Sequence, residues 1–331
     1  MNILYIGPYR QQSIIGIHSQ ILLLNLLNDK NNTITARPVY TDFNKPPVKE
    51  LHNDIVKAEQ NSCDSYDTII QNVPLNMASP IHGIKSNILI PVLSVKNITE
   101  DEISTMSHFN KILVDNKNDY KILSSHKSIA SKIHTYDYSF SVGIGPNASV
   151  DLGMFNNSNK LYFIGEYSEN ATNIISICKA FVSSSMIDDF VFCIFLLYPN
   201  NNDIQELERN IKNIYAENKK INTINRIIIG PLEMDIQHIA VIHKTCDAFI
   251  DLQDDNSNSI NVKLSQSHDS KIISFDINDY TFSFDRNSKS SPIGYFSPSE
   301  SSINISIKKY LKFKTSTEIV PSKKTPINKI I

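Results

Sequence analysis

The chain has 331 residues, 41% of them hydrophobic and 20% charged. That is long enough for two domains that each bury a core, and it excludes a disordered or fibrous composition. A formal net charge of -2 gives no field that would gather nucleic acid or anionic membrane nonspecifically, and no apolar run approaches the roughly 18–20 residues that span a bilayer.

Residues 3–7 are a short apolar run ending in Gly7, the pattern of a buried strand. The lack of a basic leader before this strand argues against a secretion signal. Residues 8–16 form a loop, and 17–28 repeat apolar residues at helical spacing. Strands are predicted over 34–40, 66–72, 87–93, 111–115 and 133–136, with helices over 100–109 and 125–132. The stretch 146–160 is polar, with Asn, Ser and Gly clustered, and reads as an interdomain linker.

Residues 161–165, Leu-Tyr-Phe-Ile-Gly, then repeat the opening run half the chain away. Helices follow over 173–184, 203–218, 234–244 and 260–267, and strands over 190–198, 226–231, 248–251 and 271–275. A further helix is expected near 303–311. Strands alternating with helices imply mostly parallel sheets covered on both faces. The expected organisation is α/β: a Rossmann-like domain over 1–150, a second over 156–296, a helix and tail over 297–331, and a cleft between the two domains.

Cys63, Cys178, Cys193 and Cys246 make no CxxC pair, which points to reduced structural thiols and a cytoplasmic compartment. The C-terminal residues 308–329 are rich in Lys and could form a local basic patch. Abundant Asn, Ile and Lys fit AT-rich coding, as in phages and some bacteria. Glycine is scarce: 9 residues in 331, under half the usual frequency of about 7%. A chain that wraps its backbone around phosphates normally spends glycines on the loops that do so.

Laid out this way, the chain resembles retaining glycosyltransferases of the group 1 type (family 4-like), which have the GT-B fold. The resemblance rests on Asn2-Ile3-Leu4-Tyr5-Ile6-Gly7-Pro8-Tyr9-Arg10 with Gly16, and on Tyr162-Phe163-Ile164-Gly165-Glu166 leading to Lys179-Ala180-Phe181. It also rests on Ile228-Ile229-Gly230-Pro231-Leu232 and on Thr245-Cys246-Asp247-Ala248-Phe249-Ile250-Asp251. It implies two Rossmann-like domains facing across a cleft, with the acceptor on the first and the nucleotide-sugar on the second. The diphosphate would rest against helix N-termini and cationic side chains. No cofactor and no metal would be required. Arg10, Gly16, Gly165, Glu166, Pro231, Leu232, Ser257, Lys263 and Leu264 would then line the donor side.

The donor motif departs from the family pattern. The family has a Glu, a Gly-rich turn, and a second Glu at the spacing of Asn256 to Leu264. Asn256 stands at the first position and Leu264, which cannot accept a ribose hydroxyl, at the second. Ser257 and Ser259 replace glycines. Residues 166–172, read as a loop, carry Glu166 and Glu169 where the family has a cation, which would repel a departing phosphate. Lys263 could supply a substitute cation.

Arg10 fits either a cleft role or a simple salt bridge. His18, on the first turn of the helix, reads as a helix-surface residue or a cleft residue. His82 reads as a solvated loop histidine or a catalytic candidate beside Asn256. Residues 251–255 hold three carboxylates that suggest a cation site or a glycosidase pair but that a polar loop after a strand explains more simply, and Gly143-Ile144-Gly145 lacks the strand–helix context of a dinucleotide fingerprint. The expected activity is hexose transfer from a nucleotide-sugar to a glycan, protein or nucleic-acid acceptor. The alternatives are an impaired relative that binds or supports an active enzyme, as a homo- or hetero-oligomer with another glycosyltransferase, and a sugar-nucleotide epimerase of the same architecture.

Overall fold

Burial alternates along β1 (Asn2–Gly7), with Ile3, Tyr5 and Gly7 inward, as the pleat of a strand requires. The computed structural model describes residues 1–43, 45–92, 98–115, 117–136, 148–183, 190–219, 224–232, 236–251, 261, 264, 265, 268, 270–275 and 294–296. They divide into two compact units, one within residues 1–141 and the other within 142–321.

After β1 the first unit continues through α1 (Ile14–Leu27), β2 (Thr33–Pro38), α2 (Asn53–Gln60), β3 (Thr68–Gln71) and β4 (Ser86–Leu89). It ends with α3 (Glu100–Ser107), β5 (Lys111–Val114), α4 (Lys117–Ser124) and β6 (Ile133–Thr135). The strands form one all-parallel sheet in the order β2-β1-β3-β4-β5-β6. Strand order reverses between β1 and β3, so a crevice belongs at the C-terminal ends of those two strands.

α1 is apolar on several sides, with Ile17, Ile21, Leu22, Leu23 and Leu26 all buried, as a helix packed all round should be. Its buried polar residues are satisfied locally. Ser19 Oγ lies 2.8 Å from Tyr5 Oη, and Gln20 Nε2 donates to the Tyr9 carbonyl at 2.8 Å. Ser13 caps the helix by accepting the Gly16 N–H at 3.1 Å, an arrangement worth about 1 kcal/mol.

The second unit runs β7 (Asn159–Gly165), α5 (Tyr167–Ser183), β8 (Phe190–Leu197), α6 (Asn201–Glu217), β9 (Ile227–Leu232) and α7 (Ile236–Thr245). β10 (Ala248–Ile250), β11 (Lys271–Phe275) and β12 (Gly294–Phe296) follow. Its sheet is again parallel, in the order β12-β11-β10-β7-β8-β9. Counted from β7 this is 3-2-1-4-5-6, the dinucleotide-binding order, with its switch point between β7 and β10. Every residue of β8 is buried, which explains why it reads as an unbroken apolar run. Pro231 is tolerated because β9 is an edge strand.

Four elements differ from the sequence expectation. α2 has no counterpart there, because it buries only Ile55 and Ala58 and leaves a faint periodic signal. The helix expected over 125–132 lies earlier, as α4, and the chain beyond it turns through a short 3-10 segment, Ala130–Lys132. α5 begins at Tyr167, so most of the expected acidic loop is its first two turns. The buried Tyr167, Ile174 and Cys178, with Ala171 packed against the same core, make the helical row that drives this. β12 adds a strand after β11. No described helix is long and apolar enough to cross a membrane. Residues 303–311 lie outside the described residues.

Candidate functional site

The turn after β1 is where an open α/β sheet ordinarily offers backbone N–H groups to an anion. Here the protein uses those groups itself. The Gln11 N–H donates to the Pro8 carbonyl at 2.8 Å, Gln12 to Pro46 at 3.0 Å, and Ser13 to Gln11 at 2.9 Å. Residues 41–43 and 45–48 lie over the turn as a strap. The Gln11 side-chain oxygen accepts from Thr41 N at 2.8 Å, Thr41 Oγ1 at 2.9 Å and Asp42 N at 3.1 Å, and Val48 N donates to the Arg10 carbonyl at 2.7 Å. A Cβ on Gly16 would collide with the Gln11 carbonyl oxygen. The glycine therefore makes room for the chain's own turn.

Arg10 leaves this turn and forks onto Glu59 at the end of α2, with Nε–Oε1 2.6 Å and Nη2–Oε2 2.5 Å. The hydrogen bond to Glu59 raises the Arg10 pKa further. Burial alone would raise that of Glu59, but the Arg10 hydrogen bond and charge hold the carboxylate below its ordinary range. Burial, and then the Glu59 charge, push the Tyr9 phenol up. Arg10→Ala is accordingly expected to cost about 1 kcal/mol of stability, read from a urea midpoint, and to leave nucleotide affinity unchanged.

A second cluster forms where β5 and β6 end. Asp115 follows β5 directly and Tyr136 follows β6 directly. His18, one turn into α1, places Nε2 3.3 Å from Tyr136 Oη and 3.9 Å from Asp115 Oδ2. With Pro91, Asp119 and Leu123 they line a cavity of about 30 Å³, room for one water or one hydroxyl. The His18 and Asp115 side chains are 22% and 14% exposed, so both are accessible at the rim. Sequence reading singles out His18 but misses Asp115 and Tyr136. The available signal is their position, each the first residue after a parallel strand.

His82 is elsewhere. It is exposed beside Gly83, which has φ 82°, in a pocket of about 490 Å³ shared with Ser79, Ile81, Asn87 and His108. His82 precedes β4 and His108 precedes β5, so this pocket lies at the N-terminal edge of the sheet, away from Arg10, Gly16 and His18.

In the second unit, strand register aligns Gly165, Leu196 and Pro231 in one row, with Leu232 beside Leu197. Gly165, Glu166, Pro231 and Leu232 thus share the C-terminal edge of the sheet, together with the buried Asp251 after β10. Asn261 Nδ2 donates to the Ile164 carbonyl at 3.3 Å, tying the following helical residues to β7 at the switch point. Beneath them Tyr162 Oη lies 2.7 Å from His243 Nδ1, and Ser270 Oγ donates to the His243 carbonyl at 2.5 Å. Burial, reinforced by nearby His268, lowers the His243 pKa to about 3, so the ring is neutral. Leu264 is fully buried and packs as core. Asn256, Ser257 and Lys263 lie outside the described residues, as do Gly143-Ile144-Gly145 and residues 252–255.

No family model matches the sequence, and no curated protein matches it. Solved structures do match the fold. HepE of Anabaena in complex with UDP is 12% identical with a TM-score of 0.59, over 96% of this chain and 92% of that one. The sucrose-phosphate synthase of Thermosynechococcus elongatus is 11% identical with a TM-score of 0.59, over 94% and 90%. The E. coli trehalose-6-phosphate protein bound with UDP-2-fluoro glucose is 10% identical with a TM-score of 0.56, over 94% and 91%. The chain therefore has the α/β fold of the GT-B glycosyltransferases, with two Rossmann-like domains.

Proposed function

We propose that the protein is a glycosyltransferase that takes a nucleotide-sugar and transfers its hexose to an acceptor. The observation that carries this is the pairing of two parallel Rossmann sheets in one chain, alike over nearly its whole length to proteins solved with UDP or a UDP-sugar. The second sheet has the dinucleotide-binding strand order, and α5 starts immediately beyond its switch strand. The N-terminus of α5 offers N–H groups and the positive end of the helix dipole to an anion, so the donor diphosphate is assigned to the turn at Gly165, with the charge of Glu166 opposing it. Glu166, a hydrogen-bond acceptor there, suits the hydroxyls of a ribose or hexose. Pro231 and Leu232 would supply apolar contact from the edge strand.

The first domain receives the acceptor in this reading. Its own phosphate-type turn is filled by Gln11, Gln12 and the strap formed by residues 41–43 and 45–48, and Arg10 is held by Glu59. The donor is therefore held chiefly by the second domain. A second reading, an impaired enzyme that serves as a binding partner, is favoured by one observation: Leu264, at the family's ribose-binding position, is wholly buried.

Calorimetry with UDP-, GDP- and ADP-sugars tests the proposal. Micromolar binding to one of them, accompanied by slow release of the nucleoside diphosphate, is expected. Binding without turnover in the presence of any acceptor would favour the second reading, and no binding to any donor would remove the first.

A further inference from the structure

We propose that the cavity of about 490 Å³ at the N-terminal edge of the first sheet is a binding site for an uncharged saccharide. The inference stands on the first domain alone and does not depend on the glycosyltransferase reading. It starts from a missing helix. Parallel strands are ordinarily joined by a crossover helix that packs on the sheet. The connection from β3 to β4, residues 72–85, holds only a 3-10 turn at Leu75–Met77 and no α-helix. A hollow is left between this connection and His108, the residue that follows α3.

Two side-chain amides hold the connection in place. Gln71 Nε2 donates to the Ser79 carbonyl at 2.6 Å, and Gln71 Oε1 accepts the Ser79 N–H at 3.0 Å. Asn87 clasps Ile81 in the same way, at 3.0 Å and 2.9 Å, and its own N–H is fixed to Asn110 Oδ1 at 2.7 Å. Both amides are buried, and these bonds satisfy them at both ends. Gly83 follows at φ 82°, a conformation that favours glycine, with open space where a side chain would stand. The walls are set before a ligand arrives, which lowers the entropic cost of binding.

The lining chemistry selects the ligand class. Among the described lining residues none carries a carboxylate, an ammonium or a guanidinium, so neither a phosphate nor a calcium ion meets an opposite charge there. Lys85, the next residue along, is exposed and outside the lining, and Lys132 Nζ is engaged by the Ser107 carbonyl at the end of α3. No three His, Cys, Asp or Glu side chains converge among the described residues, whereas zinc sites use three or four protein ligands. His82, His108 and Ser79 offer hydrogen-bonding groups of both senses, as sugar hydroxyls require. Pro80, Ile81 and Ile84 supply an apolar wall for the C–H face of a pyranose, and Ile81 is left 43% exposed without one.

The test titrates the full chain with maltotriose, cellotriose and mannotriose and follows the histidine ring signals by carbon–proton NMR. The chain has nine histidines, and His82→Ala and His108→Ala identify their two signals by loss. Saturable, millimolar or tighter binding of at least one trisaccharide is expected, with shifts at both rings. Each variant should weaken that affinity about tenfold, the cost of one lost hydrogen bond, with the urea midpoint unchanged. No shift with any trisaccharide at about 10 mM would overturn the proposal. Wild-type affinity in either variant, or saturable binding of phosphate or zinc at these rings in place of the sugars, would overturn it too. None of these outcomes touches the donor reading, which calorimetry with nucleotide-sugars decides separately.

Discussion

Gly16→Ala is expected to destabilise the first domain by about 3 kcal/mol, at the upper end of what overpacking a single methyl costs. The added Cβ would collide with a backbone atom, the Gln11 carbonyl oxygen, with the Gln11 carbonyl carbon at 3.0 Å and the Pro8 oxygen at 3.1 Å. No side-chain rotation relieves such a contact. Shifting Gln11 would pull on its three donors in the 41–42 segment and loosen the Ser13 cap at the same time. The whole turn is one network, so strain at Gly16 is felt by the strap, the cap and α1 together. Chemical denaturation reads the effect as a lower midpoint with an unchanged slope. The alternative role, a glycine that clears space for a phosphate, makes the opposite forecast. The Gly16→Ala variant would then unfold at the wild-type midpoint and lose nucleotide affinity instead.

Much of the fold was legible because its strands are continuous apolar runs. β8 and β11 are where the pattern put them, and the repeated opening run marks the first strand of each sheet. What the pattern could not show was where a helix starts when its first turn is polar. Ser168 and Asn170 hide the onset of α5, and only the burial of Tyr167 reveals it. α2 escaped for a related reason: two buried side chains in eight residues are too few to set a period.

The candidate site was less legible, because its chemistry depends on which partner a side chain meets. Arg10 is a cation at the right place in sequence, yet Glu59, 49 residues away, has claimed it. Gly16 is a glycine where one was expected, for a reason internal to the turn. His18, Asp115 and Tyr136 are far apart in sequence, and parallel pairing of β5 with β6 brings the last two together. A single sequence gives the residue after a strand no mark of its own. The rule that such positions face the crevice is the only pointer.

Below about pH 6.5 the second domain should lose stability progressively, because His243 must stay neutral to fold. Its side chain is wholly buried, and Tyr162, Asn261 and His268 surround it. With Nδ1 unprotonated, neutral imidazole is an acceptor for the Tyr162 hydroxyl 2.7 Å away. The charged form would set an N–H against that O–H and bury an unpaired cation. The folded-state pKa, lowered to about 3, lies below the unfolded value of 6.5. The unfolded chain therefore binds the proton first. The contribution is complete above pH 6.5, falls by about 1.4 kcal/mol per pH unit as pH drops, and is gone near pH 3. Between pH 7 and pH 4.5 this amounts to a few kcal/mol, on the order of 1.4 kcal/mol for each pH unit below 6.5. His243→Gln offers Tyr162 an amide acceptor without a titrating group. Its absolute stability will differ, so the quantity to compare is the change in unfolding free energy between the two pH values. The wild type should lose more than the variant over that interval, by about 2 to 3 kcal/mol. Equal losses would mean that His243 is already protonated in the fold and that the Tyr162 hydroxyl is not donating to it.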